Sequence, residues 1–214
     1  DSDLSLLAKQ KPSVPIRALN IQALEHPAAV DHYLRSTVSK ARLVLVRLLG
    51  GRGHWSYGIE QLREWARGDA SRGLLIVSGT VEGEQELASL GNFPDFIAIA
   101  IGQCLREGGA ENMAQVMGCC SNWLAGEPLQ PPEAIPQPDP YCFKWQPNPG
   151  PKVGLIFYRS LWSSADLDVL ESCASAMRDV GLCPRLVLVS SLRDELVQQG
   201  VRQLLQAEAV ELIL

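Results

Sequence analysis

Apolar positions along the chain follow two spacings, one typical of buried strands and one typical of amphipathic helices. Residues 42–49 and 73–78 are mostly apolar runs of strand length, each bounded by glycine. Between them Ile59 and Leu62 belong to a helical repeat that Gly68 ends. This order predicts a strand-helix-strand unit with parallel strands.

The pattern on either side of this unit is mainly helical. Pro27 suits the first position of a helix, and residues 16–19 suggest a short strand before it. Downstream, residues 85–90, 96–105 and 112–124 carry apolar side chains three and four positions apart. We therefore expect a helical annex after the second strand.

A proline-rich segment divides the chain. Nine of the 14 prolines lie in residues 126–151, where neither a helix nor a central strand could accommodate them. A second alternating series follows, with strands at 153–158, 185–189 and 210–214 and helices at 164–180 and 194–205.

These patterns predict an α/β protein with parallel-sheet units that are Rossmann-like or flavodoxin-like. We expect a first α/β domain with its helical annex at 1–125, a linker at 126–151 and the start of a second α/β domain at 152–214. The chain has no initiator methionine and ends in an apolar, strand-like run, so we expect it to be truncated at one or both ends.

Composition and charge narrow the range of functions that the chain could have. The chain is 46% hydrophobic and 20% charged, as in ordinary globular proteins, and its net charge of -5 disfavours a nucleic-acid partner. It contains no apolar stretch of membrane-spanning length and no signal-peptide pattern, so we expect a cytoplasmic protein. The six cysteines form no CxxC pair, so we expect buried thiols and no metal site.

The most distinctive chemistry lies in residues 50–58 (GGRGHWSYG), which we call the 50–58 loop. Ligands of open α/β sheets collect at the carboxyl ends of the strands, and this loop directly follows the first strand. Arg52 supplies a cation, His54 a titratable ring, and Trp55 and Tyr57 two flat surfaces. This mixture favours a flat, anionic ligand. In the alternative interpretation the glycines only form a turn and the aromatic rings only cover the sheet end.

Nucleotide cofactors are disfavoured by the same residues. Ser56 stands where the third glycine of a dinucleotide fingerprint would be. The chain also has no GxxxxGK[ST] motif, so it has no phosphate-binding loop for ATP.

A second loop, residues 158–163 (YRSLWS), again combines an arginine with aromatic side chains. It follows the first strand of the second series, so Arg159 is a further candidate for ligand contact. The alternative is a helix entry in which Ser163 or Ser164 caps the helix and Trp162 is hydrophobic cover.

Several strings resemble the amino-terminal part of the large subunit of ATP-dependent cobaltochelatase, a family related to the magnesium chelatase large subunit. The most specific string is residues 46–52 (VRLLGGR), which Trp55 and residues 57–58 (YG) and 60–62 (EQL) follow. Further matches are residues 1–4 (DSDL), 26–27 (HP), 108–109 (GG), 111–112 (EN) and 153–160 (VGLIFYRS). The similarity extends over essentially the whole chain.

The resemblance implies a parent protein that binds a corrin-type tetrapyrrole, of the hydrogenobyrinic acid a,c-diamide type, and inserts cobalt in cobalamin biosynthesis. Cobalt is then a substrate, and ATP is hydrolysed by separate motor-type partner subunits, in agreement with the missing phosphate loop. No cofactor is assigned to this segment.

The candidate substrate-binding residues are Arg52, His54, Trp55, Tyr57 and Arg159. Metal insertion requires deprotonation of ring nitrogens, for which His54 and Glu60 are the nearby candidates. We expect the main metal-handling residues elsewhere in the long subunit, so this segment alone should be inactive.

The sequence is also compatible with other functions. Two α/β halves joined by a linker also suit a periplasmic-binding-like or flavodoxin-like small-molecule sensor. Insertion of magnesium into protoporphyrin and a purely structural role in the complex are the remaining alternatives.

Overall fold

A computed structural model describes residues 2–10, 12, 14–143, 148–164 and 166–214. The chain forms two compact units, whose main parts are residues 7–135 and 136–214. Helix α1 (Ser2–Lys9) begins the described chain.

The first unit combines a two-stranded parallel sheet with helices. Its strands are β1 (Leu43–Leu48) and β2 (Gly73–Ser78), and its helices are α2 (Pro27–Ser36), α3 (Ser56–Arg67), α4 (Glu84–Ala88), α5 (Asp95–Glu107) and α6 (Gly109–Ala125). Short 3₁₀ turns occupy Ile21–Leu24, Val38–Lys40 and Arg52–Trp55. Leu45 of β1 lies opposite Leu75 of β2 in a parallel ladder. The α/β class and the predicted strand-helix-strand unit are confirmed.

Burial explains why these residues form these elements. Every residue of β2 is buried, which accounts for its continuous apolar run. Ile59 and Leu62 of α3 pack into the same core as Leu74 and Ile76 of β2. The apolar face of α3 therefore covers the sheet, while its charged residues point to solvent.

One local prediction upstream of β1 is wrong. Residues 16–19 form no strand, and Ile16 and Leu19 are 38% and 42% exposed. The apolar pattern there finds no pairing strand among the described residues. Helix α2 begins at Pro27 as predicted, but it ends at Ser36, and the apolar face then continues through a 3₁₀ turn.

The proline-rich segment is bound to the first unit over part of its length. Residues 127–138 form neither helix nor strand. The buried Asn112 of α6 donates to the carbonyl of Ile135 at 3.0 Å and accepts from its N–H at 2.8 Å. Gln115 donates to the carbonyl of Glu133 at 3.0 Å. The backbone groups that proline excludes from regular structure thus find side-chain partners.

The second unit contains a mixed sheet flanked by helices. Its strands are β3 (Tyr141–Phe143), β4 (Lys152–Tyr158), β5 (Cys183–Val189) and β6 (Leu212–Ile213), and its helices are α7 (Ser160–Ser163), α8 (Asp168–Asp179) and α9 (Glu195–Ala207). The strand order is β3-β5-β4-β6. Strand β4 is parallel to β5 and β6, whereas β3 is antiparallel to β5.

Two features of this unit differ from the sequence pattern. Strand β3 lies within the segment predicted as linker, because three residues between prolines can still pair at a sheet edge. The helix predicted at 164–180 begins only at Asp168, and a separate turn of helix, α7, precedes it. Residue 165 lies outside the described residues. The domain limits at 126–151 stay a prediction.

No helix in the described part of the chain has the length and apolar character needed to cross a membrane.

Candidate functional site

Glycine determines the path of the 50–58 loop at the carboxyl end of β1. Gly51 has φ 70°, a left-handed value that favours glycine, and a 3₁₀ turn follows it. Gly50 lies under the ring of His54, and a β-carbon there would lie 2.7 Å from Cγ of that ring. The loop can therefore fold tightly and continue directly into α3.

Trp55 is fixed in place by a hydrogen bond and by close packing. Its indole Nε1 donates to the carbonyl of Leu24 at 2.9 Å. The ring lies against Gly58, where any β-carbon would overlap its atoms. Trp55 is half-buried against the core of the first unit, so its orientation is set before any ligand arrives.

Tyr57 connects the loop to helix α2. Its hydroxyl donates to Oδ1 of Asp31 at 2.8 Å, and the side chain is 37% exposed. The hydrogen bond to Asp31 raises the pKa of Tyr57 above 10.0, and desolvation and the negative charge of Asp31 act in the same direction. The positive charge of Arg35 opposes them.

A cleft of about 330 Å³ opens between the loop and the segment that precedes α2. It is lined by Ile21, Gln22, Glu25, Val30, Gly53, His54, Trp55, Ser56 and Tyr57. The volume is at the lower end of the range for ligand clefts. The structure therefore brings three of the predicted site residues together, His54, Trp55 and Tyr57.

The remaining candidates of the first unit lie elsewhere on its surface. Arg52 is exposed in the 3₁₀ turn and Glu60 is exposed on α3, and neither lines the cleft. Gln22 and Glu25 do line it, but the sequence reasoning missed them. No short-range sequence pattern connects them with the loop, which lies about thirty positions away, because only the tertiary fold brings the two segments together.

A hydrogen-bonded turn at the end of β2 lies beside the loop and was also missed. The Nη1 atom of Arg106 donates to the carbonyls of Ser78 at 3.3 Å and Thr80 at 3.2 Å. Its Nη2 atom donates to Glu84 at 2.8 Å. The N–H of Gly79 donates to the carbonyl of Leu48 at 2.7 Å, which joins this turn to the end of β1.

The loop after β4 has a different construction. The backbone N–H of Arg159 donates to the carbonyl of Val189 at 2.7 Å, which places Arg159 at the carboxyl ends of β4 and β5. Trp162 packs against the core cluster that contains Leu170 and Leu186. This agrees with the interpretation of Trp162 as hydrophobic cover.

The alternative interpretation, in which Ser163 or Ser164 caps the helix, is wrong for α8. Residue Leu167 occupies the cap position of α8. Ser163 and Ser164 instead donate to the carbonyl of Ser160 at 3.2 Å and 2.8 Å. Hydroxyl groups three and four residues after a carbonyl commonly bond back in this way.

Cys104, Cys120 and His26 have structural surroundings. Burial raises the pKa of Cys104 to about 11 and that of Cys120 to about 12, which disfavours reactive thiolates. His26 caps α2 by accepting from the N–H of Ala28 at 3.1 Å. Within the described ranges no group of three His, Cys, Asp or Glu side chains could hold a metal ion.

Fold and loop together define an α/β protein with a candidate ligand site at the carboxyl end of a parallel sheet. A family model described as CobN/Magnesium Chelatase matches residues 102–214, more than half of the chain. The chain belongs to this family, as the sequence strings indicated.

Two curated relatives are similar along nearly the whole chain. The aerobic cobaltochelatase subunit CobN of Pseudomonas aeruginosa is 30% identical over 232 residues, which cover 100% of this chain. The protein of the same name from Sinorhizobium sp is 25% identical over 239 residues, which cover 98%. The chain spans 18% of the length of each relative.

A solved structure shares the fold. The catalytic subunit of cobaltochelatase from Mycobacterium tuberculosis matches with a TM-score of 0.72 and 20% identity, over 94% of this chain and 16% of that one. At this identity the match supports the architecture alone.

Proposed function

We propose that this chain is a segment of the large subunit of an aerobic-type cobaltochelatase. In this proposal the subunit binds a corrin-type tetrapyrrole of the hydrogenobyrinic acid a,c-diamide type and inserts cobalt into it during cobalamin biosynthesis. The names of the two curated relatives, similar over 100% and 98% of the chain, support this assignment over a small-molecule sensor.

The observation that carries a substrate-binding role is the 50–58 loop at the end of β1. It presents an indole with a fixed orientation beside the exposed side chains of Arg52 and His54. A macrocycle that bears carboxylates and amides needs flat apolar surface together with cationic groups. A side chain held before binding loses less conformational freedom when the ligand arrives.

The cleft beside the loop suits part of such a ligand. With about 330 Å³, it could take a peripheral group of the ring rather than the whole macrocycle. Gln22 and Glu25 would accept hydrogen bonds there, and the phenol of Tyr57 would lie along the wall. We propose His54, Trp55 and Tyr57 as substrate contacts at this point.

Arg52 would bind a negatively charged group of the substrate, and Arg159 of the second unit is a separate candidate for such a contact. For proton removal from ring nitrogens His54 is the first candidate, because it lines the cleft. Glu60 lies outside the cleft and is the second. The main metal-handling residues would lie elsewhere in the longer subunit, so this segment alone would be inactive.

ATP hydrolysis would belong to separate partner subunits. The chain contains no GxxxxGK[ST] loop, which agrees with this division of labour. The complex would operate in the cytoplasm, where these subunits would meet ATP.

The proposal can be tested by titrating the full-length protein with hydrogenobyrinic acid a,c-diamide and following tryptophan fluorescence and corrin absorbance. We expect Arg52→Ala and Trp55→Ala to weaken binding by about tenfold each, as loss of a charged or aromatic contact typically does. The exposed Arg202 of α9 provides a matched control, and Arg202→Ala should bind like the wild type.

Three results would contradict parts of the proposal. Unchanged affinity in both loop variants would remove the 50–58 loop from the site. Tighter binding of protoporphyrin than of the corrin would favour the magnesium reaction. Absence of any spectral change with either ring would favour a purely structural role.

A further inference from the structure

Two exposed apolar side chains lie at the carboxyl edge of the first sheet, next to the 50–58 loop. Leu49 follows β1 and is 71% exposed, and Val81 follows β2 and is 69% exposed. A β-carbon on Gly79 would overlap Cδ2 of Leu49, so the two strand ends are in contact. On its other side Leu49 is followed by Gly50, which lies under the ring of His54.

The turn that carries Val81 is held by a dense set of hydrogen bonds. The hydroxyl of Ser78, which is 2% exposed, accepts from the N–H of Thr80 at 3.2 Å and donates to the carbonyl of Glu82 at 3.3 Å. The hydroxyl of Thr80 donates to the same carbonyl at 3.2 Å. Arg106 adds its three hydrogen bonds from helix α5.

Arg106 is itself unsuited to binding an anion. Its Nη1 atom is used by two backbone carbonyls, and its charge is balanced by Glu84 at 2.8 Å. The side chains of the pair are 18% and 26% exposed. Its function is therefore to fix the position of the turn.

A rigid turn that presents an apolar side chain at its tip favours binding of an apolar ligand surface. An exposed valine contributes little to folding, because its surface stays in contact with water. When such a side chain is held in place, its burial against a ligand requires little further ordering. Leu49 and Val81 thus extend the surface of the 50–58 loop with an apolar region.

We propose that Leu49 and Val81 form a second wall of the substrate site and contact the apolar face of the tetrapyrrole. Arg106 is a positioning residue that holds the turn of residues 79–83. This inference rests on the proposed function, since the loop must first bind the macrocycle.

Matched substitutions in the full-length protein test the second wall. Val81→Asp and Leu49→Asp are compared with Val180→Asp and Leu196→Asp in the second unit, whose side chains are 73% and 77% exposed. Each pair has the same residue type and nearly the same exposure. We expect the first two variants to weaken binding of hydrogenobyrinic acid a,c-diamide by at least about tenfold. The two controls should stay within about twofold of the wild type.

The outcomes separate this inference from the proposed function. If the wild type binds the corrin and all four variants bind equally well, the second wall is disproved and the proposed function stands. If the wild type does not bind, the proposed function fails and the inference fails with it.

The role of Arg106 has its own test. Arg106→Met should speed hydrogen exchange at the N–H of Thr80 and weaken corrin binding by roughly fivefold, through loss of ordering. Arg106→Lys, which keeps the charge next to Glu84, should recover part of the affinity. Faster exchange without weaker binding would show that the turn is only structural and overturn the positioning role.

Discussion

The loops after β1 and after β4 have similar ingredients but different constructions. Both follow a parallel strand and both contain an arginine and aromatic residues. In the first, Trp55 packs against the core and is also fixed by a hydrogen bond to the carbonyl of Leu24 and by contact with Gly58. In the second, Trp162 packs against the core and lies 6.4 Å from the ring of Tyr141.

Glycine content accounts for much of this difference. The 50–58 loop has four glycines, so its backbone can turn tightly and the ring of Trp55 can lie directly against Gly58. The loop after β4 has none, and its serines close a helical turn on the carbonyl of Ser160. Composition alone thus overstates the likeness of the two loops, and the positions of the small residues decide how closely an aromatic ring approaches the backbone.

The largest expected effect of a substitution lies at Trp162. Trp162→Ala should lower the free energy of unfolding of the second unit by about 2–3 kcal/mol, because a half-buried ring leaves the core cluster. Trp162→Phe keeps most of the packing and should cost less than about 1 kcal/mol. Native-state hydrogen exchange of the β5 amides in the full-length protein measures both. Equal exchange in the alanine variant and the wild type would show that Trp162 is surface cover only.

A smaller effect is expected at Gly58, and another helical glycine provides the control. Gly58→Ala places a β-carbon in the space of the Trp55 ring and should destabilise the first unit by about 1–2 kcal/mol, even after the gain in helix propensity. Gly118 of α6 has open space around it, so Gly118→Ala should stabilise by about 0.5–1 kcal/mol. Thermal unfolding curves of the two variants show whether each substitution stabilises or destabilises the protein. A stabilising Gly58→Ala would mean that the indole moves freely.

These comparisons show which parts of the fold the sequence could predict. The buried run of β2 and the amphipathic pattern of α3 are local signals, and both elements lie where they were expected. Strand β3 was missed because its pairing with β5 is formed by residues about forty-five positions apart. No local pattern distinguishes its three residues from the prolines around them.

The candidate site likewise contains some features that the sequence predicts and others that it does not. The position of the loop after β1 could be read from the strand pattern, whereas Glu25 and Arg106 reach the site only through tertiary contacts. Capping by the serines after β4 was the alternative interpretation because a serine before a helix is a frequent cap. Their hydroxyl groups bond back to a carbonyl instead, and no one-dimensional rule distinguishes the two cases.

Loss of the indole hydrogen bond of Trp55 should lower the free energy of unfolding of the first unit by about 1 kcal/mol. Trp55→Phe keeps an aromatic ring against Gly58 but leaves the carbonyl of Leu24 without its 2.9 Å donor. The contacts that the structure shows for Trp162 among the described residues are packing contacts, so Trp55→Phe should be the more costly of the two. Hydrogen exchange of the α3 amides, compared with that of β5 in Trp162→Phe, measures the difference. If the costs are equal, packing rather than the hydrogen bond holds Trp55.

The smallest effect concerns the titration of Tyr57, whose hydroxyl donates to Asp31 of helix α2. The hydrogen bond to Asp31 holds the pKa of Tyr57 above its ordinary value of 10.0. Because the folded state keeps this proton longer than the unfolded state, the associated stability is complete below pH 10 and is lost as the pH rises through the folded pKa. The difference in phenolate absorbance between the wild type and Tyr57→Phe, followed as a function of pH, isolates this transition. Asp31→Ala should shift it to lower pH, and Asp31→Asn should shift it less, since the amide oxygen can still accept the hydrogen bond while the charge is gone. If Asp31→Ala leaves the transition where it was, the phenol does not donate to Asp31, and the connection between the 50–58 loop and α2 must depend on packing alone.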